Sequence, residues 1–191
     1  LRESESREVV QYAKSVEKAG NYLLSLINNI LDITRIESKK LDIIEEKFSL
    51  RQLVQEVCLI GAKQAEAKNL EFVVDVEETL PKYLEGDALH IKQVILNLIN
   101  NAVKYTKKGK VFLEVCQEEK QISFSVKDTG IGIKKEDMEA LFDMFMRADI
   151  KRHRNIEGSG LGLTIAKELC EQMGGHIQAE SIYGKGSNFT V

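Results

Sequence analysis

Apolar side chains in residues 1–40 recur every seven positions. Val9, Val16, Leu23 and Ile30 form one row; Tyr12, Ala19, Leu26 and Ile33 form a second, three residues later, and Ala13 and Ile27 widen the stripe. This is the seam of a coiled coil or helical bundle. One helix cannot cover such a seam, so the pattern predicts a partner helix or a second copy of the chain. A helix lying on its own domain is the alternative. Polar Glu37, Ser38, Lys39 and Lys40 end the pattern.

Beyond this helix the period changes repeatedly. Ser49 followed by Gln52 has the form of a capping box and predicts a helix to about Ala67. Leu70–Val76 alternates and predicts a strand, with a second, short one over Thr79–Leu84 around Pro81, the only proline. Asp87 is a candidate N-cap for a helix running to Tyr105. Lys110–Cys116 and Gln121–Lys127 predict a hairpin across Glu118-Glu119-Lys120, and Lys134–Phe145 a helix. Met146–Glu157 lacks periodicity and reads as a charged loop. Leu161–Met173 is helical up to Gly174-Gly175, and His176–Ser181 and Ser187–Val191 are closing strands. Helices and strands that do not alternate strictly, with hairpins, indicate an α+β fold with a mixed sheet.

The helix ending at Tyr105 has an unusual polar face. Ile91, Ile95, Leu98 and Ala102 share one side, which leaves Asn97, Asn101 and Lys104 on the other. Asparagine disfavours helix interiors because its amide competes for backbone hydrogen bonds. Two amide carbonyls and an ammonium on one stripe suit a hard cation and the phosphates that accompany it. A solvated polar face would show the same pattern.

Composition narrows the class. The net charge of −3 gives no basic footprint for nucleic acid, and no apolar run approaches the roughly 20 residues of a membrane helix. Cys58, Cys116 and Cys170 are far apart and form no CxxC pair, as expected of small buried thiols in a reducing compartment. His90, His153 and His176 form no metal-ligand pair with one another or with a cysteine. The chain opens at Leu1 and closes at Val191 within an expected strand, so it reads as an excised fragment.

Two glycine clusters carry the remaining chemistry. Asp128-Thr129-Gly130-Ile131-Gly132-Ile133 follows a strand, and its glycines let backbone approach a ligand closely. A carboxylate at the strand end needs a donor, and an adenine amine is one; guanine presents a carbonyl there. An aspartic protease would need two such triplets and an all-β chain, and only one occurs. A tight turn without a ligand remains the plain alternative. Gly158-Ser159-Gly160-Leu161-Gly162-Leu163 opens a helix and is a candidate anion site. It is not a Walker loop, because no Gly-Lys-Ser/Thr follows, nor a Rossmann turn, because no strand precedes it. Between the clusters, Phe142 and Phe145 anchor a stretch whose Arg147, Lys151, Arg152 and Arg154 could swing over a triphosphate or simply be solvated.

Taken in order, these motifs resemble the catalytic core of a sensor histidine kinase. The wider superfamily includes gyrase, mismatch-repair and heat-shock chaperone ATPases. The resemblance lies in an N box at His90–Thr106, glycine boxes at Asp128–Ile133 and Gly158–Leu163, an aromatic box at Phe142–Arg147 and a trailing Gly184–Phe189. Residues 1–48 resemble the second helix of the family's dimerisation and phosphotransfer domain, without the helix that carries the acceptor histidine. The implied fold is a two-layer α/β sandwich over residues 49–191, preceded by a long helix of a dimeric helical bundle. The implied ligands are ATP and Mg²⁺. Asn101, with Asn97, would hold the metal. Lys104, Tyr105, Asp128, Gly130, Gly132, Ile133, Arg147, Gly158, Ser159, Gly160, Leu161, Gly162 and Leu163 would bind the nucleotide. The implied partners are a response-regulator receiver domain and a second copy of the chain through residues 1–36. The expected setting is cytoplasmic, with membrane anchoring of the intact protein left open.

Two departures shape the expected activity. Related hydrolases place a water-activating glutamate four residues before the metal asparagine; here Asn97 stands there and has no basic group. Hydrolysis should therefore be slow, leaving the γ-phosphoryl group for another acceptor. No His-Glu or His-Asp pair occurs in the chain, so it should bind ATP without phosphorylating itself. A protein-histidine kinase is the reading reached, with a non-catalytic nucleotide-binding dimerisation module as the alternative and a chaperone-like hydrolase as a third.

Overall fold

A computed structural model describes residues 2–38, 41–118, 121–144 and 160–191. The chain divides into two units, Leu1–Leu41 and Asp42–Val191. In the first, α1 (Arg2–Glu37) is one continuous helix. Val9, Tyr12, Val16, Leu23 and Ile30 of the expected seam are all exposed on the single chain.

The second unit begins ahead of the expected 48/49 boundary because β1 (Glu46–Ser49) belongs to it. This strand, which the sequence pattern does not reveal, pairs antiparallel with β3 (Tyr83–Gly86) in a two-stranded sheet. The short strand expected at Thr79–Leu84 thus lies later, past Pro81, where the amides are free to join a ladder.

The main sheet has the order β2-β4-β5-β7-β6. These strands are β2 (Glu71–Val76), β4 (Lys110–Glu118), β5 (Gln121–Asp128), β6 (Gln178–Ile182) and β7 (Gly186–Thr190). β2 runs parallel to β4 and the other pairs are antiparallel, so the sheet is mixed as expected. Alternation decides its faces: Val111, Leu113 and Val115 of β4 are buried, whereas Glu114 between them is exposed. Helices α2 (Leu50–Glu66), α3 (Ala88–Tyr105) and α5 (Gly162–Gln172) form the second layer, with α3 between the other two. The core joins Val57 of α2, Ile95, Leu98, Ile99 and Ala102 of α3, Val111, Leu113 and Val126 of the sheet, and Phe189 of β7.

Helix starts follow the sequence signals in part. Ser49 accepts the Gln52 amide at 3.3 Å, but the Gln52 side chain turns to Glu56 instead of reaching back, so the capping box is only half formed. The helix expected over Lys134–Phe145 shortens to α4 (Lys135–Met138). No side chain caps it, and Leu141 and Asp143 make tight three-residue turns to Met138 and Ala140. The Phe142 carbonyl instead accepts the Thr164 hydroxyl at 2.9 Å, and Phe145 lies outside the described residues. Cys170 is buried, whereas Cys58 and Cys116 are only half-buried.

Asp87 positions α3 and is only 5% exposed. Its carboxylate accepts the His90 amide at 3.0 Å and the Ile44 amide at 3.0 Å, and it meets the His90 ring at 2.7 Å. Burial pulls its pKa up, but the His90 and Ile44 amides and the His90 ring outweigh that pull and hold it below the ordinary carboxylate range. A depressed folded-state pKa contributes stability above the unfolded value of 3.8, and that contribution disappears as pH falls through the folded value. Asp87→Ala is expected to destabilise the second unit by about 2 kcal/mol at pH 7. The deficit should shrink in acid, and denaturant titrations at a series of pH values measure it. A deficit that persists unchanged below the carboxylate range contradicts the assignment.

Candidate functional site

The site is built on α3. Its buried face, Val94, Ile95, Leu98, Ile99, Ala102 and Val103, lies in the core, while Asn97, Asn101, Lys104 and Tyr105 are half-buried on the other side. Each end of this polar face meets one of the glycine clusters.

At the C-terminal end, the loop after β5 folds against the last turn of α3. The Ile131 amide donates to the Tyr105 carbonyl at 3.3 Å. A methyl group on Gly130 would stand 2.6 Å from that carbonyl oxygen, 2.7 Å from Asp128 Oδ1 and 2.9 Å from Thr106 Oγ1, so no side chain fits there. Gly132 adopts φ 64°, and any side chain would run into the Ile182 carbonyl. The turn between β6 and β7 clamps the loop from the far side: the Ile133 amide donates to Ser181 Oγ at 2.7 Å and the Gly184 amide to the Ile131 carbonyl at 2.7 Å.

Asp128 ends β5 and is 5% exposed. Burial raises its carboxyl above the ordinary range, opposed by the amides of Gly130 and Ser187 and, more weakly, by the Thr106 hydroxyl. The Gly130 N–H donates to Asp128 Oδ1 at 2.7 Å. Burial of this charge works against the unliganded fold: stability falls as pH rises from the unfolded to the folded pKa, the opposite sense to Asp87. A donor from a ligand would relieve that burden.

At the N-terminal end, the Asn97 amide faces α5. A Cβ placed on Gly162 would contact Asn97 Oδ1 at 3.8 Å. No side chain caps α5, whose first turn is Gly162, Leu163 and Thr164 behind Gly160 at φ 74°. Leu161 is 1% exposed and packs in the core, so only its backbone could meet a ligand. Thr164 ties this turn to the Phe142 carbonyl. Among the described residues no cluster of His, Cys, Asp or Glu could hold a metal, so a cation here would rest on the amide oxygens of Asn97 and Asn101 and on a ligand's own oxygens.

The structure thus brings together Asn97, Asn101, Lys104 and Tyr105 with Asp128, Gly130, Gly132 and Ile133 at one end and Gly160, Leu161, Gly162 and Leu163 at the other. Arg147, Gly158 and Ser159 lie outside the described residues. The Lys104 ammonium sits 4.7 Å from the Tyr105 ring centre. Two contributors carry no signal in the sequence. Lys68 donates to the Val103 and Lys104 carbonyls at 2.9 and 3.0 Å, a cation on the C-terminus of α3 supplied by a distant turn. Burial, then the Lys104 charge, lowers its pKa. Thr106 brings a hydroxyl beside Asp128, and only the fold of the glycine loop over α3 reveals that proximity.

Residues 86–191 match the family model of the histidine kinase-, DNA gyrase B- and HSP90-like ATPases. The sensor histidine kinase GacS of Pseudomonas protegens is 42% identical over 95% of this chain and 20% of its own length. The circadian input-output histidine kinase CikA of Synechococcus elongatus is 38% identical over 95% of this chain and 24% of its own. The chain therefore spans a fifth to a quarter of these relatives. The crystal structure of full-length ShkA in complex with AMPPNP superposes with a TM-score of 0.82 at 29% identity, covering 94% of this chain and 37% of ShkA. The mixed sheet with its helical layer is the fold of that structure.

Gly130→Ala tests the junction directly. The new methyl would press on a backbone carbonyl, which cannot rotate away as a side chain can, so the loop must shift. The expected loss is about 2 kcal/mol in denaturant unfolding. Wild-type stability in this variant would contradict the close approach.

Proposed function

The chain belongs to the histidine kinase-, DNA gyrase B- and HSP90-like ATPase family, and from that premise we propose that it is the ATP-binding catalytic part of a sensor histidine kinase. One observation supports the reading above the rest. The polar face of α3 touches a buried carboxylate with its glycine loop at one end and an uncapped helix N-terminus at the other. Asn97 and Tyr105 are two helical turns apart, or about 12 Å, which separates a site for a base from a site for phosphates. ShkA, with the same fold, was crystallised with the nucleotide AMPPNP.

In this reading the Asp128 carboxylate accepts the adenine amine, and Tyr105 borders the base or sugar. The amides of Gly162 and Leu163 at the start of α5 receive phosphate oxygens, helped by the helix dipole. Lys104 leaves its resting place on the Tyr105 ring to contact phosphate. Asn101, with Asn97, holds Mg²⁺ through amide oxygens; the ion, when bound, neutralises phosphate charge. Neither amide can take a proton from water, so the γ-phosphoryl group is conserved for a histidine outside these residues and then for an aspartate of a receiver domain. The exposed seam of α1 is the surface through which two copies would pair.

Mg²⁺-dependent ATP binding should be measurable by calorimetry. Asp128→Asn removes the charged acceptor and should weaken binding about 10- to 100-fold. Asn101→Asp should also weaken it by adding charge beside the phosphates. Unchanged affinity in both variants overturns the site. In the intact protein, labelled ATP should yield phosphohistidine that depends on Asn101. Nucleotide binding without any phosphohistidine would favour a non-catalytic module.

A further inference from the structure

The last four carbonyls of a helix lie beyond the reach of its own amides. In α3 each of them is nonetheless engaged. Thr106, directly after the helix, gives its amide to the Ala102 carbonyl at 3.1 Å, and Ile131 of the glycine loop gives its own to the Tyr105 carbonyl at 3.3 Å. The carbonyls between them, on Val103 and Lys104, both accept the Lys68 ammonium, at 2.9 and 3.0 Å. Lys68 belongs to the turn between α2 and β2, and that turn is itself tied down. The amides of Lys68 and Leu70 donate to the Ala65 carbonyl at 3.0 and 2.9 Å, and the Glu71 amide donates to the Gly109 carbonyl, in the loop after α3, at 3.0 Å.

A lysine in the last turn of a helix can fold back onto the terminal carbonyls, where the helix dipole is negative. Lys104 is such a residue. Its ammonium instead stands over the Tyr105 ring, 4.7 Å from the centre, on the half-buried face it shares with Asn97 and Asn101. Lys68 already holds the carbonyls, and like charge discourages a second ammonium there. Burial, and after it the Lys104 charge, pulls the Lys68 pKa down, so the two cations feel each other.

We propose that Lys68 is a positioning residue of the nucleotide site: by occupying the Val103 and Lys104 carbonyls it denies them to the Lys104 ammonium and keeps that ammonium free for phosphate. The proposal rests on the ATP reading above, in which Lys104 contacts phosphate, and adds a residue that acts through another. Without Lys68 the carbonyls lose their donor, and Lys104 folds back to replace it. One positive charge then leaves the phosphates, while Asp128 and its glycine loop keep their geometry. The phosphate end of the site therefore responds and the base end does not.

The test uses the 191-residue chain, with Mg²⁺ and ATP in calorimetry and adenosine in NMR titration. Lys68→Met should bind ATP about tenfold more weakly and adenosine as wild type does. Lys104→Met should lose as much, and Lys68→Met should add nothing to it in the double variant, because both act on one ammonium. Lys68→Arg keeps donors and charge and should retain wild-type ATP affinity. Lys68→Gln, neutral but still a donor, should show the same selective loss in reduced form, so the question stays answerable should the methionine variant not fold. Equal losses for ATP and adenosine in either neutral variant would mean that Lys68 only holds the helix end together, and that overturns the proposal. Losses that add in the double variant overturn it too. So does wild-type ATP affinity in Lys68→Met, the result expected if exposed Lys107 or Lys108 takes the carbonyls instead. Failure of wild type to bind ATP at all would overturn the site reading itself, which separates the two failures.

Discussion

The last turn of α3 against the first glycine loop is the contact on which the site depends. The Tyr105 carbonyl accepts the Ile131 amide, and Gly130 lies so close to that carbonyl that even a methyl group is excluded. That proximity brings the Asp128 carboxylate next to a helix whose other face is sealed in the core by Leu98, Ile99 and Ala102. The helix is thereby fixed in rotation as well as position. Its half-buried stripe, Asn97 to Tyr105, faces one way because the apolar stripe must face the other.

Two buried aspartates show how the same residue type serves opposite ends. Asp87 is satisfied by the fold: two amides and an imidazole surround it, and its charge is favoured. Asp128 is less well served. Its amide partners do not offset the loss of water, so its charged form is disfavoured. A carboxylate left in that condition is costly as structure and useful as a receptor, since an incoming donor gains what the fold did not supply. One aspartate therefore stabilises the helix, and the other keeps an unmet demand for a donor, which the proposed reading gives to a ligand.

Most of this was legible in the sequence where a periodic pattern or a cap decides the structure. α3, its Asp87 cap and the hairpin of β4 and β5 follow from local signals. So does the polar stripe, because 3.6-residue periodicity places it. β1 was not legible, since a four-residue strand paired with a distant β3 has no period of its own. The helix expected over Lys134–Phe145 ends at Met138 in tight three-residue turns, and the chain beyond it is held by a contact across the fold, Thr164 on the Phe142 carbonyl. Lys68 and Thr106 were missed for the same reason. Their roles arise from where a loop lands, and neither propensity nor spacing encodes that. The glycines were read as permitting close approach, and at Gly130 and Gly132 the tertiary contacts supply the reason.

Asn97 remains the residue with most consequence for chemistry, and its surroundings sharpen why an amide suits it. Its oxygen lies against the start of α5, where amide hydrogens and the helix dipole present positive potential. A carboxylate there would be drawn to the helix end, but it would also add a negative charge where phosphates must approach. It would further supply a base able to activate water. The amide would offer an oxygen dipole to the cation of the proposed reading without either effect. In the proposed ATP reading, phosphate binding and restraint from hydrolysis would both follow from one substitution of nitrogen for oxygen, at a position where helix α3, helix α5 and the glycine turn before it come together.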